Sequence, residues 1–294
     1  ASLAFEGYSG TALSSDSAFS MGDSVILSGS TELDNGLTIT MAFELDGDAE
    51  ATSSTSAYDD NSLTISSDAM GTLKFSAHGG SSAASALDGT AAGDMWDNFD
   101  TLVTGGSATK AAGAGENSFF YTLPSMVDGL SVNASLNTAG TTGNSALGYS
   151  ATYSGVEGLS VSYGIADIET GATTTSGDQT VMKASYAYGP VTVAYSNSEY
   201  DVGTTSAEAT EQEVSSYSVS YTVSDAVSVS YATEELDSNG AAELTDAEYS
   251  KVVASYTSGG MTVSANYQEA DNTSYTTAVT EDFEYYGLSL SFAF

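Results

Sequence analysis

The chain has 294 residues and no cysteine, and its 39 acidic residues against 4 basic ones give a net charge of −35. The lack of cysteine excludes a disulfide framework, a thiolate metal site and a cysteine nucleophile. The shortage of lysine and arginine argues against nucleic acid as a partner, because phosphate contacts require basic side chains. The sequence contains no run of about 18 apolar residues, so no membrane-spanning helix is predicted. The chain begins at Ala1 without an apolar leader, as we expect of a mature exported protein whose signal peptide has been removed.

Large apolar and small polar residues alternate in many short segments. Examples are GLTITMAFELD at 36–46, GLSVSYGIAD at 158–167 and DFEYYGLSLSFAF at 282–294. A period of two places the large residues on one face of an extended strand. Sixteen strands are predicted in chain order, at 1–9, 20–33, 37–46, 60–68, 71–78, 116–123, 129–137, 145–154, 158–167, 178–188, 190–199, 212–223, 226–234, 246–257, 260–269 and 282–294.

The connections between these strands alternate between short and long. Short turns rich in glycine, aspartate, asparagine and serine, such as LDNG at 33–36, join the strands in pairs. The other connections are long and acidic, at 47–60, 79–115, 200–211, 235–245 and 269–281. Short turns at one end and long loops at the other are typical of an outer-membrane barrel. We therefore predict an all-β fold, a transmembrane antiparallel barrel of 16 strands that forms a single domain over residues 1–294.

The lysines help to decide whether the apolar face meets lipid or a protein core. Lys74, Lys183 and Lys251 each fall on the small polar face of a predicted strand. A lysine on the lipid-facing side at mid-bilayer would cost about 2–4 kcal/mol. The polar face is rich in Ser, Thr, Ala, Gly and Asn, which suits the wall of a water-filled lumen. Tyrosines near the strand ends suggest an aromatic girdle, although tyrosine also favours strands of any kind.

Three segments carry a resemblance to a known family: MGTLKFSAHGGSSAASALDG at 70–89, the hairpin LDNGLTITMAFELDGD and the terminal LSFAF. The chain resembles the trimeric general porins of Gram-negative bacteria, most closely the sixteen-stranded porins of alphaproteobacterial type. The resemblance implies a homotrimer in the outer membrane, in contact with lipid and lipopolysaccharide. It also implies a water-filled channel for the passive diffusion of small hydrophilic solutes and ions, and no enzymatic activity.

In that family the third extracellular loop folds into the barrel and narrows the pore, and here the corresponding loop is 79–115. The resemblance implies that this loop places four carboxylates at the constriction and two aromatic anchors against the wall: Asp88, Asp94, Asp97 and Asp100, with Trp96 and Phe99. The family usually has a basic cluster on the opposite wall, whereas this chain has no arginine. Positive charge in the barrel could come only from Lys74, His78, Lys183 and Lys251. Glu44 takes a lumen position where a basic residue is expected, so we expect the pore to favour cations.

The acidic loops leave a further possibility open. The segments 44–50, 58–61 and 234–248 could bind Ca²⁺ through carboxylates and carbonyls, but none has EF-hand spacing and solvated acid is the default. No cofactor is predicted. No motif of a hydrolase or metalloprotease is present, so we do not expect an enzyme. The alternative to a porin is a secreted, acidic, β-rich surface or adhesin-like protein, for which a fixed repeat period of stacked coils would be expected.

Overall fold

The computed structural model describes residues 2–10, 17–21, 25–45, 60–102, 117–138, 144–170, 176–201, 212–238, 245–273 and 282–292. Within these ranges the chain forms seventeen β-strand segments and two short 3-10 helices. The strands are β1 Ser2–Gly10, β2 Ser17–Met21, β3 Val25–Glu32, β4 Thr38–Leu45, β5 Asn61–Ser67, β6 Gly71–His78, β7 Ser118–Thr122, β8 Leu130–Thr138, β9 Asn144–Val156, β10 Leu159–Thr170, β11 Gly177–Tyr188, β12 Val191–Asp201, β13 Gln212–Ser224, β14 Val227–Ser238, β15 Ala247–Ser258, β16 Met261–Asp271 and β17 Asp282–Phe292. The 3-10 helices are Ser85–Leu87 and Met95–Leu102. In the described part of the chain, no helix is long and apolar enough to cross a membrane.

The strands pair antiparallel with their sequence neighbours and form one sheet. From β3 to β17 each strand pairs with the next, and β17 pairs with β1. On its other edge β1 pairs with β2, which is separated from β3 by residues 22–24. Counting β2 and β3 as one position gives the sixteen positions of the barrel, as predicted. The run of pairing from β3 through β17 and β1 to β2 thus begins and ends at two segments that follow each other in the chain, as expected of the closed sheet that spanning lipid requires.

Two sequence-based expectations are corrected. The second strand was predicted to begin at residue 20, whereas the strand segment begins at Ser17. The alternation of SAFSM is too short to show that limit. The alternative of a surface protein built from stacked coils is wrong, because the pairing runs antiparallel around a ring instead of parallel along a stack.

The barrel is apolar on the outside and small and polar on the inside. On β10, Val161 and Tyr163 are 40% and 52% exposed, while Ser162 between them is 8% exposed. A soluble sandwich would bury the large residues and expose the small ones. The reversed burial therefore matches the prediction that the apolar face meets lipid.

The short turns lie at one end of the barrel. The turn at 33–36 closes through a hydrogen bond from the Gly36 backbone N to the Leu33 backbone O at 2.9 Å. Gly36 has φ 79°, in the left-handed region that glycine adopts without strain. At Gly158 a Cβ would lie 2.3 Å from the Ala187 backbone O, so the turn also requires a residue without a side chain.

Candidate functional site

The first part of the predicted constriction loop, residues 79–102, crosses the inside of the barrel. It follows β6 and contains both 3-10 helices. Its contacts fall on inward-facing residues of β8 to β17, which alternate with the exposed, lipid-facing residues of the same strands. Residues 103–115 of the predicted loop lie outside the described part. The loop therefore covers one side of the inner wall and leaves the side formed by the earlier strands facing the lumen.

The loop first docks on β8 to β11. The Ala83 backbone N donates to Ser135 Oγ at 2.7 Å, and Ser85 Oγ donates to Gln179 Oε1 at 3.2 Å. Ala84 is completely buried against β10, where Gly164 provides the space. A Cβ added to Gly164 would lie 3.1 Å from Ala84 Cα and 3.3 Å from Leu87 Cδ1.

The middle of the loop is held by polar wall side chains. Lys183 Nζ donates to the Gly89 backbone O. The backbone N atoms of Ala91 and Ala92 each donate at 2.8 Å, to Ser196 Oγ and Ser216 Oγ respectively. Successive strands thus present hydroxyl groups to successive peptide groups, which explains how a non-regular segment satisfies its backbone inside the barrel.

The second 3-10 helix packs through apolar side chains. Phe99 is 1% exposed, and its ring centroid lies 5.7 Å from that of Tyr249 and 6.4 Å from that of Tyr285. Met95 is fully buried in the same cluster, and the half-buried Trp96 packs against it. The two aromatic residues chosen as anchors therefore lie between the loop and the wall of β13 to β17.

The four loop carboxylates chosen from the sequence have different surroundings. Asp88 is half-buried and accepts from Gln179 Nε2 at 3.3 Å, and Asp94 is half-buried and accepts from the Thr90 backbone N at 3.1 Å. Asp97 is exposed. Asp100 belongs to the second 3-10 helix, but its side chain lies outside the described part. Their role as pore liners stays a prediction, and Asp97 has the most open position of the three described side chains.

The wall of β4 to β6 brings three other chosen residues together. Glu44, Lys74 and His78 line one cavity of about 150 Å³ on the inner side of the barrel. Asp60 lines the same cavity, and its backbone O accepts from the Glu44 backbone N at 2.7 Å. The sequence had suggested Asp60 only as part of the possible calcium segment 58–61 and not as a residue of the pore. Lys74 and His78 are exposed, so this wall combines two carboxylates with one lysine and one histidine.

The other two barrel lysines lie beneath the loop. Lys183 binds the loop backbone, and a Cβ added to Gly93 would lie 3.9 Å from Lys251 Nζ. Sequence reasoning also missed Glu234, which is 2% exposed under the loop. The available signal was its inward position on β14 between Ala232 and Leu236, where a carboxylate in an apolar setting requires a partner.

Among the described residues, no group of three His, Cys, Asp or Glu side chains is arranged so that it could hold a metal ion. Parts of the acidic segments considered for calcium, residues 46–50, 58–59 and 239–244, lie outside the described residues. Calcium binding there stays a prediction.

Comparison with known proteins agrees with this architecture. Similar solved structures include an anion-selective porin from Comamonas acidovorans, with a TM-score of 0.68, 14% identity and coverage of 98% of each chain. OmpF of Salmonella typhi, in complex with daunomycin, has a TM-score of 0.66 and 16% identity over 99% of this chain and 96% of that one. A triple mutant of the Rhodopseudomonas blastica porin has a TM-score of 0.65 and 16% identity over 100% of this chain and 98% of that one. No curated protein matches the sequence at a significant level.

The family model for Gram-negative porins matches residues 1–294. Together with the barrel and the loop inside it, this match establishes a non-enzymatic channel of the bacterial outer membrane for passive diffusion. The chain belongs to the Gram-negative porin family.

Proposed function

We propose that the channel prefers cations and that it functions as a homotrimer. The observation that carries the ion preference is the arrangement of fixed charges inside the barrel. Lys183 lies under the loop and binds its backbone, and Lys251 lies close to Gly93 of the loop. Lys74 is the exposed lysine of the described inner wall, and it shares its cavity with Glu44 and Asp60.

Fixed carboxylates at a narrow, low-dielectric passage attract counter-ions and raise their local concentration. The exposed Asp97 on the loop adds negative charge on the other side of the lumen. The protein as a whole carries a net charge of −35, so the long-range field has the same sign. One solved porin of similar fold is described as anion-selective, so the fold by itself gives no support to a cation preference, and the proposal depends on the side-chain charges.

The homotrimer is supported by an asymmetry of the outer surface. On β10 to β17 outward carboxylates lie directly opposite one another across strands, as in Asp167 with Asp178 and Glu235 with Glu248. The described outward positions of β1 and β3 to β9 carry no acid and include exposed apolar residues such as Leu27 and Met41. An apolar, uncharged side is suited to contact with further copies of the chain, and the resemblance to trimeric porins supports three.

The experiment is single-channel recording of the purified protein in planar bilayers under a KCl gradient. We expect the reversal potential to have the sign that a K⁺-selective channel gives under this gradient. We also expect conductance steps in groups of three. A reversal potential of the opposite sign would overturn the cation preference and leave the channel. Single, ungrouped steps, together with a monomer mass in detergent by light scattering, would overturn the trimer.

A further inference from the structure

We propose that Glu234 fixes the position of the turn 90–96 in the constriction loop and so helps to define the cross-section of the pore. It projects inward from β14 and is 2% exposed, between Ala232 at 7% and Leu236 at 2%. A buried carboxylate in apolar surroundings persists only where hydrogen bonds and an opposite charge compensate the lost hydration. Each of these compensations comes from the loop or from the wall beside it.

Glu234 contacts the loop at two points. Its Oε2 accepts from Thr90 Oγ1 at 2.6 Å, and its Oε1 accepts from the Trp96 backbone N at 3.2 Å. The segment between them is a tight turn in which the Asp94 backbone N donates to Thr90 Oγ1 at 2.7 Å and the Thr90 backbone N donates to Asp94 Oδ1 at 3.1 Å. One carboxylate therefore binds both ends of the turn 90–96.

The opposite charge comes from the neighbouring strand. Lys251 on β15 is paired in register with Ala232, which makes it the diagonal neighbour of Glu234 on the same inner face. Its ammonium interacts electrostatically with Glu234 and with Asp94 of the loop. Two carboxylates and one ammonium thus lie near the boundary between loop and wall, where charge–charge interactions are stronger than in water.

This polar contact supplies what the apolar anchors cannot. Met95 and Phe99 are held by apolar packing, which tolerates small shifts because it has no preferred direction. A displaced loop would cost the carboxylate its two hydrogen bonds from the loop, and would leave the Thr90 O–H and the Trp96 backbone N without their acceptor inside the barrel. Glu234 is accordingly a positioning residue that selects one placement of the turn.

Glu234→Ala tests this role, with Glu235→Ala as its matched control. Both substitutions remove one carboxylate from β14, but Glu235 is exposed on the outer face. In single-channel recordings we expect brief closures to become roughly tenfold more frequent in E234A, because two hydrogen bonds to a charged group are lost. The E235A channel should keep the wild-type closure frequency.

Tryptophan fluorescence provides a readout that does not depend on conduction. The chain has one tryptophan, Trp96, whose backbone N binds Glu234 and whose ring packs against the apolar cluster of loop and wall. In E234A we expect a red-shifted emission and stronger quenching by acrylamide, and in E235A neither change. This measurement tests the position of the loop even if the proposed ion preference or trimer is wrong.

Two milder variants keep the test decisive if E234A fails to fold. Thr90→Val removes the hydroxyl that binds Glu234 and leaves the wall intact, and Glu234→Gln keeps the shape while it removes the charge. Both should show more frequent closures and a shifted Trp96 emission, and E234A combined with T90V should add little to E234A alone. Wild-type closure frequency and Trp96 fluorescence in T90V and E234Q would overturn the proposal.

Discussion

The contact between β10 and the constriction loop offers a direct way to change the size of the pore. Gly164 faces inward beneath the first 3-10 helix, and Ala84 and Leu87 pack on it. Replacing Gly164 with valine inserts a branched side chain between wall and loop. We expect the loop to move away from the wall, into the lumen, and the conductance of the open channel to fall.

The size of this displacement follows from the distances. Carbon atoms pack at about 3.5–4.0 Å, whereas a Cβ at Gly164 would lie 3.1 Å from Ala84 Cα. Alanine therefore requires a shift of roughly 0.5 Å, and the valine methyl groups, which extend about 1.5 Å further, require roughly 2 Å in all. Overpacking of this kind costs about 1–3 kcal/mol of folding free energy. We expect the barrel to fold despite this cost, because strand pairing extends over all sixteen positions.

The assay is single-channel conductance, supported by swelling of proteoliposomes in sugars of increasing size. Conductance should decrease in the order wild type, G164A, G164V, and entry of the largest sugar should slow most. Gly29→Val is the control for replacing a strand glycine, since a Cβ at this outward-facing position meets nothing within 4 Å; because β3 belongs to the proposed subunit contact, light scattering in detergent checks that this variant assembles like the wild type. If G164V folds and retains the wild-type conductance and size limit, the wall and not the loop has moved, and the reasoning from the Gly164 contact is wrong.

Three other changes test separate contacts. Lys74→Gln removes the exposed lysine of the β4 to β6 wall and should shift the reversal potential further toward that of K⁺. Lys183→Gln removes a lysine that is covered by the loop and should shift the reversal potential less. Equal shifts would contradict this placement of charge. Phe99→Ala should weaken the packing of the loop on the wall by about 3–5 kcal/mol. Thermolysin should then cleave faster within 95–102 while the strands stay protected. Unchanged cleavage would show that Phe99 is not an anchor. The outward carboxylates that face each other across strands, such as Glu235 and Glu248, repel one another, so the unfolding temperature in detergent should rise with NaCl, and a fall would argue against net repulsion.

The strands could be predicted closely because their signal is local. On the last strand, outward Tyr286 and Leu288 are 44% and 48% exposed while Phe283 is 2% exposed. The alternation placed Tyr286 and Leu288 on the outer face correctly, but the pattern breaks before Tyr286, and Phe283 and Tyr285 point inward toward the loop. Alternation alone could not show this, because these two aromatic residues meet the loop anchor Phe99, which lies far away in the sequence.

The constriction was predicted as a segment, but its contacts were not. The resemblance to general porins, applied to the long loop after the fifth predicted strand, implied a loop inside the barrel. The docking of Ala84 on Gly164 and the binding of Thr90 by Glu234 join residues that are distant along the chain. A glycine or a glutamate within a strand has several ordinary explanations, and only the fold shows which neighbour requires it.

The sequence by itself determined the period-two strands, the side of each strand that meets lipid, the number of barrel positions and the small number of basic residues on which the proposed cation preference depends. These properties depend on the identity of nearby residues and on the geometry of an extended chain. The tertiary structure alone decided which wall the loop covers, which lysines it engages and which carboxylates stay open to the lumen. Those outcomes depend on contacts across the barrel, where hydrogen bonds and buried charges select one placement of the loop from many that a local pattern would allow.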